Sequence, residues 1–308
     1  MIEAIGISKR FGSVQALDSL SMTVNPGDIY GFIGPNGAGK TTTFKILATI
    51  LKPDSGEVRI DGVDIRKGDR IRSMIGYMPD VFGVYEDMTV FQYLDFFGAA
   101  YFIAREDRKR LIADILQLTD LTFKKDEMVR SLSRGMQQRL GVARVLIHDP
   151  KVLILDEPAS GLDPRARIEL RELLKELSGM GKTIIVSSHI LAELSEVCTR
   201  IGIIEQGKNV FEGSQEELHR RLFSRMNVAV MTVPEDTEKA LLALQGAPFV
   251  ESVSRTAERI SVRVKGDERE IHRILRTLYD NGCRVTRFQP EEVSLESAFM
   301  TLTKGALA

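Results

Sequence analysis

The sequence predicts an α/β protein built on a mixed, largely parallel sheet, with an antiparallel β subdomain and a helical subdomain, followed by a small α+β domain. Three observations predict it. Apolar strands alternate with amphipathic helices between residues 29 and 205. A glycine-rich loop, GPNGAGKTT, stands between one such strand and a helix. Beyond residue 216 a second, shorter series of strands and helices follows a different order. Strands alternating with helices give a parallel sheet covered on both faces, and 308 residues exceed the usual size of one compact domain. Two domains are expected, 1–215 and 216–308, with the helical subdomain at about 80–150.

Residues 1 to about 70 read as short strands and turns: EAIGISKRF, LSMTVNPGD and IYGFIG, then the helix KTTTFKILATIL, then GEVRIDGVDI. Alternation and flanking glycines in the last segment predict a hairpin or edge strand. From about 86 to 149 the pattern is helical, in VFQYLDFFGAAYF, REDRKRLIADILQLT and GMQQRLGVARVLIH. The apolar run VLIL within KVLILD predicts a buried strand. It is followed by the helix RARIELRELLKELSGMG, the strand TIIVSSH, the helix ILAELSEVC and the strand pair RIGIIEQGKNVFEG. The polar stretch GSQEELHRRLFSRMN marks a join. After it, NVAVMTV, DTEKALLALQ, VESVSRT, RISVRVK, EREIHRILRTLYDNG and CRVTRFQ give strand, helix, strand, strand, helix, strand, the split βαβ or ferredoxin-like order. A last helix is expected in SLESAFMTLTKG. Ile271, Ile274, Leu275 and Leu278 form one stripe that would pack on the small sheet.

A formal net charge of -1 gives no global attraction to nucleic acid or anionic lipid. Cys198 and Cys283 have neither metal-ligand spacing nor a disulfide framework, which suits a reducing cytosol. The start, MIEAIGISKRFG, lacks the pattern of a signal peptide. The longest apolar candidate, FFGAAYFIA, is closed off by Asp95 and Arg105, well short of the roughly 20 residues that span a bilayer. The expectation is a soluble chain that docks on a partner.

The chemistry is concentrated in two motifs. Gly34, Pro35, Asn36, Gly37, Ala38, Gly39, Lys40, Thr41 and Thr42 follow an apolar strand and open a helix. Backbone N–H groups at a helix N-terminus form an anion cradle, and glycines admit close approach of phosphate oxygens. Lys40 brings a point charge to the terminal phosphates, and the Thr41 hydroxyl is a natural Mg²⁺ ligand. KVLILDEP delivers Asp156 and Glu157 to the C-terminal edge of the sheet, where open α/β sheets bind ligands. Asp156 suits Mg²⁺ held through its water shell, and Glu157 is placed to take a proton from an attacking water.

GPNGAGKTT, LSRGMQQR and LILDEPASGLD, in this order, resemble the nucleotide-binding subunit of ATP-binding cassette (ABC) transporters over residues 1–215, a P-loop NTPase cassette. The resemblance implies ATP hydrolysis with ATP and Mg²⁺ as ligands. It implies that the Ser133 hydroxyl and the Gly135 N–H reach the γ-phosphate held by a partner cassette, with a side chain at Gly135 blocking that approach. Phe11 takes the position of an aromatic that stacks on adenine, Asp163 belongs to the loop crossing the dimer seam, and His189 is placed as the γ-phosphate switch. Three positions depart from the family pattern. Asp80 replaces a glutamine near Mg²⁺ and the attacking water, and is expected to contribute an oxygen ligand. Arg134 replaces a glycine and either adds positive charge near the anion or points to solvent, the latter weighted more. Met136 replaces a glutamine.

One phosphate loop and one signature imply a partner, either a second copy or a homologous cassette. Neither a coiled-coil arm nor a second cassette is present in the sequence, and nothing in the charge pattern favours nucleic acid. DVFGVYEDMTVFQYLDFFGAAYF falls where such cassettes receive the helices of an integral membrane permease, with Phe82 and Tyr85 expected to be exposed. VSLESAFMTLTKG resembles the end of ATPase subunits of ABC-2-type exporters, which carry a C-terminal accessory domain. The resemblance thus implies an export ATPase held peripherally at the cytoplasmic face of the cell membrane by its permease. The rival reading is an ATP-binding regulatory or assembly subunit with slow hydrolysis.

Overall fold

Alternation in the first 60 residues produces an antiparallel sheet. Strands β1 (Ile2–Phe11) and β2 (Val14–Val24) pair from Ile2 opposite Val24 to Phe11 opposite Val14, with bulges that bend the ribbon. Strand β4 (Ser55–Ile60) pairs with the other edge of β1, and β5 (Val63–Asp64) folds back on it as the expected hairpin, giving the order β2-β1-β4-β5. The computed structural model describes residues 2–190, 194, 196–218, 225–256, 259–265 and 271–291. The chain divides into two compact units, 1–215 and 216–304.

The main sheet of the first unit contains β3 (Ile29–Ile33), β6 (Ile75–Met78), β7 (Val152–Leu155), β8 (Thr183–Ser188), β9 (Arg200–Glu205) and β10 (Lys208–Ser214). Its order is β10-β9-β3-β8-β7-β6, parallel throughout except for β10, which is antiparallel to β9. Every residue of β3, β7 and β8 is buried, as expected of strands covered on both faces. Helix α1 (Lys40–Leu47) contributes Phe44, Ile46 and Leu47 to a core shared by the antiparallel sheet and the central parallel strands. There Phe44 stacks on Phe32 with ring centroids 5.9 Å apart.

A short helix, α2 (Gly68–Arg72), precedes β6. Helices α3 (Val90–Ala100), α4 (Arg105–Leu118) and α5 (Arg134–Leu146) pack on one another, and α5 also packs on β6. Helix α3 opens with a capping box in which the Thr89 hydroxyl accepts from the Gln92 N–H and the Gln92 side chain accepts from the Thr89 N–H. Helix α6 (Pro164–Gly179) covers β3 and β8.

Phe82 is not the exposed residue that the sequence suggested. It is half-buried, with its ring over Gly141 and the Arg144 guanidinium 5.2 Å from the ring centroid. A Cβ on Gly141 would lie 2.6 Å from Phe82 Cζ and 2.8 Å from Met78 Cε, so this glycine makes room for both side chains. Gly141→Ala is therefore expected to destabilise the first unit by about 1–3 kcal/mol, read as a lower denaturation midpoint. Tyr85 is exposed as expected, at 50%, and packs beside Tyr93, Phe96 and Phe97.

The second unit contains β11 (Arg225–Thr232), α7 (Thr237–Gln245), β12 (Val250–Thr256), β13 (Arg259–Lys265), α8 (Ile271–Asp280) and β14 (Val285–Glu291). All pairings are antiparallel, in the order β12-β13-β11-β14. Val228, Val230, Ile260, Val262 and Val264 form its core with Ala240 and Leu244 of α7 and Ile274 and Leu278 of α8. The expected α8 stripe is narrower than the sequence suggested, because Leu275 is 40% exposed and lies outside that core. The helix expected in SLESAFMTLTKG and residues 191–193 and 195 of the one expected in ILAELSEVC lie outside the described residues.

Candidate functional site

The glycine-rich loop leaves the C-terminal end of β3 and is shaped by close backbone approach. A Cβ on Gly34 would run into the Ile204 carbonyl oxygen, and one on Gly39 would lie 2.7 Å from the Ala16 carbonyl oxygen. Gly39 also has φ +111, open to glycine but strained for other residues, and occupies the N-cap of α1, where no side chain competes for the free N–H groups. The loop is tied down by Gly34 N–H donating to the Ser188 carbonyl (3.3 Å) and Gly207 N–H donating to the Ala38 carbonyl (2.9 Å).

A cavity of ≈ 340 Å³ opens at this helix end. Pro35, Asn36, Gly37, Gly39, Lys40, Thr41 and Thr42 line it from the loop and helix start, together with Asp80, Glu157, Ser160, His189, Val14 and Ala16. Gly34 and Ala38 shape the loop from behind. Lys40, only 6% exposed, donates from Nζ to the Gly34 carbonyl at 2.6 Å and forms an ion pair with Glu157 Oε1 at 3.2 Å. The other carboxylate oxygen, Oε2, lies 2.9 Å from His189 Nδ1. Glu157 thus bridges the loop lysine and the histidine, holding both in the cavity.

Asp156 and Glu157 are placed by β7 and its neighbour. Asp156, 1% exposed, accepts from the Ser187 hydroxyl through Oδ1 at 2.7 Å. The same hydroxyl accepts the Glu157 N–H at 2.8 Å. Ser187 therefore orients both acids, a role not assigned from the sequence; its position two residues before His189 on β8 is the signal that was there to read. Asp156 Oδ2 is buried without a hydrogen-bond partner, and Thr41 lines the cavity. A buried, unpartnered carboxylate oxygen suits a hard, oxygen-seeking cation. Asp80 also lines the cavity. Desolvation first, then the Asp156 and Glu157 carboxylates, push its carboxyl above the usual range, while Arg134 and His189 act in the opposite direction.

Other expected residues lie outside the cavity. Phe11, 46% exposed, pairs with Val14 at the end of the β1–β2 ribbon, and it is Val14 that lines the cavity. Ser133 caps α5, its hydroxyl accepting from the Met136 N–H at 3.3 Å. Gly135 has a reason within its own chain beyond phosphate access, since a Cβ there would lie 3.0 Å from the Ala166 Cβ. Asp163 caps α6, Oδ1 accepting from the Ala166 N–H at 2.9 Å, with Pro164 in the first turn. Arg134 is exposed, as expected, and its guanidinium lies over Gly161.

Comparison with known proteins agrees with this geometry. The ABC transporter family model matches residues 17–160. The linearmycin resistance ATP-binding protein of Bacillus subtilis (strain 168) is 30% identical over 100% of this chain and 99% of its own. The Nod factor export ATP-binding protein I of Paraburkholderia xenovorans (strain LB400) is 34% identical over 98% of this chain and 96% of its own. A solved dimeric ATP-binding cassette in a post-hydrolysis state, bound to ADP and Pi, is 26% identical and superposes with a TM-score of 0.62, covering 70% of this chain and 98% of that one. The chain belongs to the ABC transporter family, as an ATP-binding subunit whose ATP hydrolysis is coupled to transport.

Proposed function

We propose that this chain is the ATPase of an ABC-2-type exporter, working on a separate membrane permease through closure and opening of a cassette dimer. Residues 1–215 act as the nucleotide-binding domain, with the helical subdomain at about 80–150, and residues 216–308 as a ferredoxin-like accessory domain. The arrangement that carries this reading is the Lys40–Glu157–His189 chain in a cavity at the N-terminus of α1. The phosphates of ATP lie along the loop, with Lys40 leaving Glu157 for the terminal phosphates. Glu157 then accepts the proton of the attacking water, and His189 contacts the γ-phosphate. Thr41, Asp156 and Asp80 would hold Mg²⁺, which would supply neutralisation of phosphate charge. Phe11 stacks on adenine.

Ser133 and Gly135 stand outside the cavity of their own chain, which supports their delivery to a partner's ATP. The partner is a second copy or a homologous cassette, seated beside Asp163. The exposed Val81 (85%) and Tyr85 (50%) provide an apolar surface for permease helices. Among the described residues no helix is long and apolar enough to cross a membrane, which suits peripheral attachment at the cytoplasmic face through the permease. The export sense is carried over from the relatives' names. Steady-state ATPase of the purified chain, alone and reconstituted with its permease in vesicles, tests the proposal. Turnover is expected to respond to the permease. A slow rate indifferent to it would support a regulatory or assembly subunit instead.

A further inference from the structure

We propose that Arg134 is a positioning residue whose guanidinium, laid across Gly161, pins the Glu157–Gly161 turn to the first turn of α5 in the same chain, setting the rate of ATP hydrolysis rather than the affinity for ATP. The inference rests on the reading of Glu157 as the base. Its starting point is steric. The Arg134 Cζ, Nη1 and Nη2 atoms occupy the space that a Cβ on Gly161 would need, so the planar group is pressed on the loop backbone. Gly161 also has φ +67, so this position needs glycine both for its backbone and for the arginine above it.

The segment being held is the one that presents the base. Glu157 has φ +49, an unusual conformation for a residue with a side chain, and its carbonyl accepts from the Ser160 N–H at 3.0 Å to close the turn. The start of this segment is fixed by Ser187, through the Glu157 N–H, and its end by Arg167 Nε donating to the Leu162 carbonyl at 3.0 Å. Arg134 supplies the contact between these two anchors. A rotation of the turn there would swing the Glu157 carboxylate relative to Lys40 and His189, with which it makes contacts of 3.2 and 2.9 Å.

Charge supports the same assignment. A cation in the first turn of a helix opposes the helix dipole, so Arg134 needs an anionic surround to settle there. Asp80 and Glu157, which line the cavity, provide one, and Asp80 feels Arg134 as a neighbouring positive charge. The planar guanidinium covers a flat glycine backbone in a way that an ammonium group reproduces only in charge.

The test uses the full chain with Arg134→Ala, Arg134→Lys and Glu157→Gln, measuring steady-state ATPase and amide hydrogen exchange over residues 158–162. Arg134→Ala is expected to lower kcat about tenfold with the KM for ATP within about twofold of the parent, and Arg134→Lys to recover part of the loss. Exchange over 158–162 should quicken in Arg134→Ala while thermal stability stays near the parent's. A parental kcat in Arg134→Ala, a change confined to KM, or unaltered exchange overturns the inference. If Arg134→Ala behaves as the parent while Glu157→Gln is inactive, the tether alone fails. If Glu157→Gln turns over freely, the reading of the base fails with it.

Discussion

Glu157→Gln is expected to cut steady-state ATP hydrolysis by about 10²- to 10⁴-fold while leaving ATP binding within a few-fold of the parent. Glutamine has nearly the same shape as glutamate, and its amide oxygen can still accept from Lys40 or His189 in place of the carboxylate. The backbone that places the side chain is untouched, because the Glu157 N–H remains bonded to the Ser187 hydroxyl at 2.8 Å. What is lost is the ability to take a proton from water. Phosphate-release assays should show the drop, and a fluorescent ATP analogue should show retained binding. Parental turnover in this variant would remove Glu157 from the role of base.

Lys40→Ala is expected to have the second large effect, on binding rather than on the chemical step. Lys40 supplies the charged donor nearest the loop carbonyls, and a hydrogen bond between charged partners contributes about 1.5–3 kcal/mol, or roughly tenfold to 150-fold in ATP affinity. The variant also leaves Glu157, whose side chain is 13% exposed, without its 3.2 Å ion-pair partner. A carboxylate left largely buried without its cation is destabilising, whereas an uncharged glutamine there is less so. The double variant Lys40→Ala/Glu157→Gln should then be more stable without nucleotide than the sum of the two single changes implies. Isothermal titration with ATP and paired denaturation curves check both parts. Unchanged affinity in Lys40→Ala would contradict the placement of phosphate on this loop.

The same residues show which parts of the molecule could be read from the chain alone. β7 was legible because four consecutive buried apolar residues end in two acids. β6 was not, because it is four residues long and contains Gly76, whose missing side chain lets the Val145 carbonyl approach to 2.6 Å of where a Cβ would sit. The phosphate loop was legible because its chemistry is local: consecutive residues form both the turn and the helix start. Ser187 was missed because its function depends on β8 lying beside β7, which brings two strands' ends together across 31 residues of sequence from Asp156. The contact of Arg134 with Gly161 and the burial of Phe82 were missed for a related reason. An arginine one residue into a helix and a phenylalanine in a loop have no periodicity to fix their direction. In both cases a glycine, Gly161 and Gly141 respectively, makes the space.

Complementation between two cassettes is the central claim, since Ser133 and Gly135 lie away from the cavity that holds Lys40 and Glu157 in the same chain. Light scattering of the Glu157→Gln protein at saturating Mg-ATP, with its homologous cassette added where one exists, tests it most directly. The account predicts a shift from monomer to dimer on adding nucleotide, abolished when a bulky residue replaces Gly135. A particle that remains monomeric with ATP fully bound would contradict it.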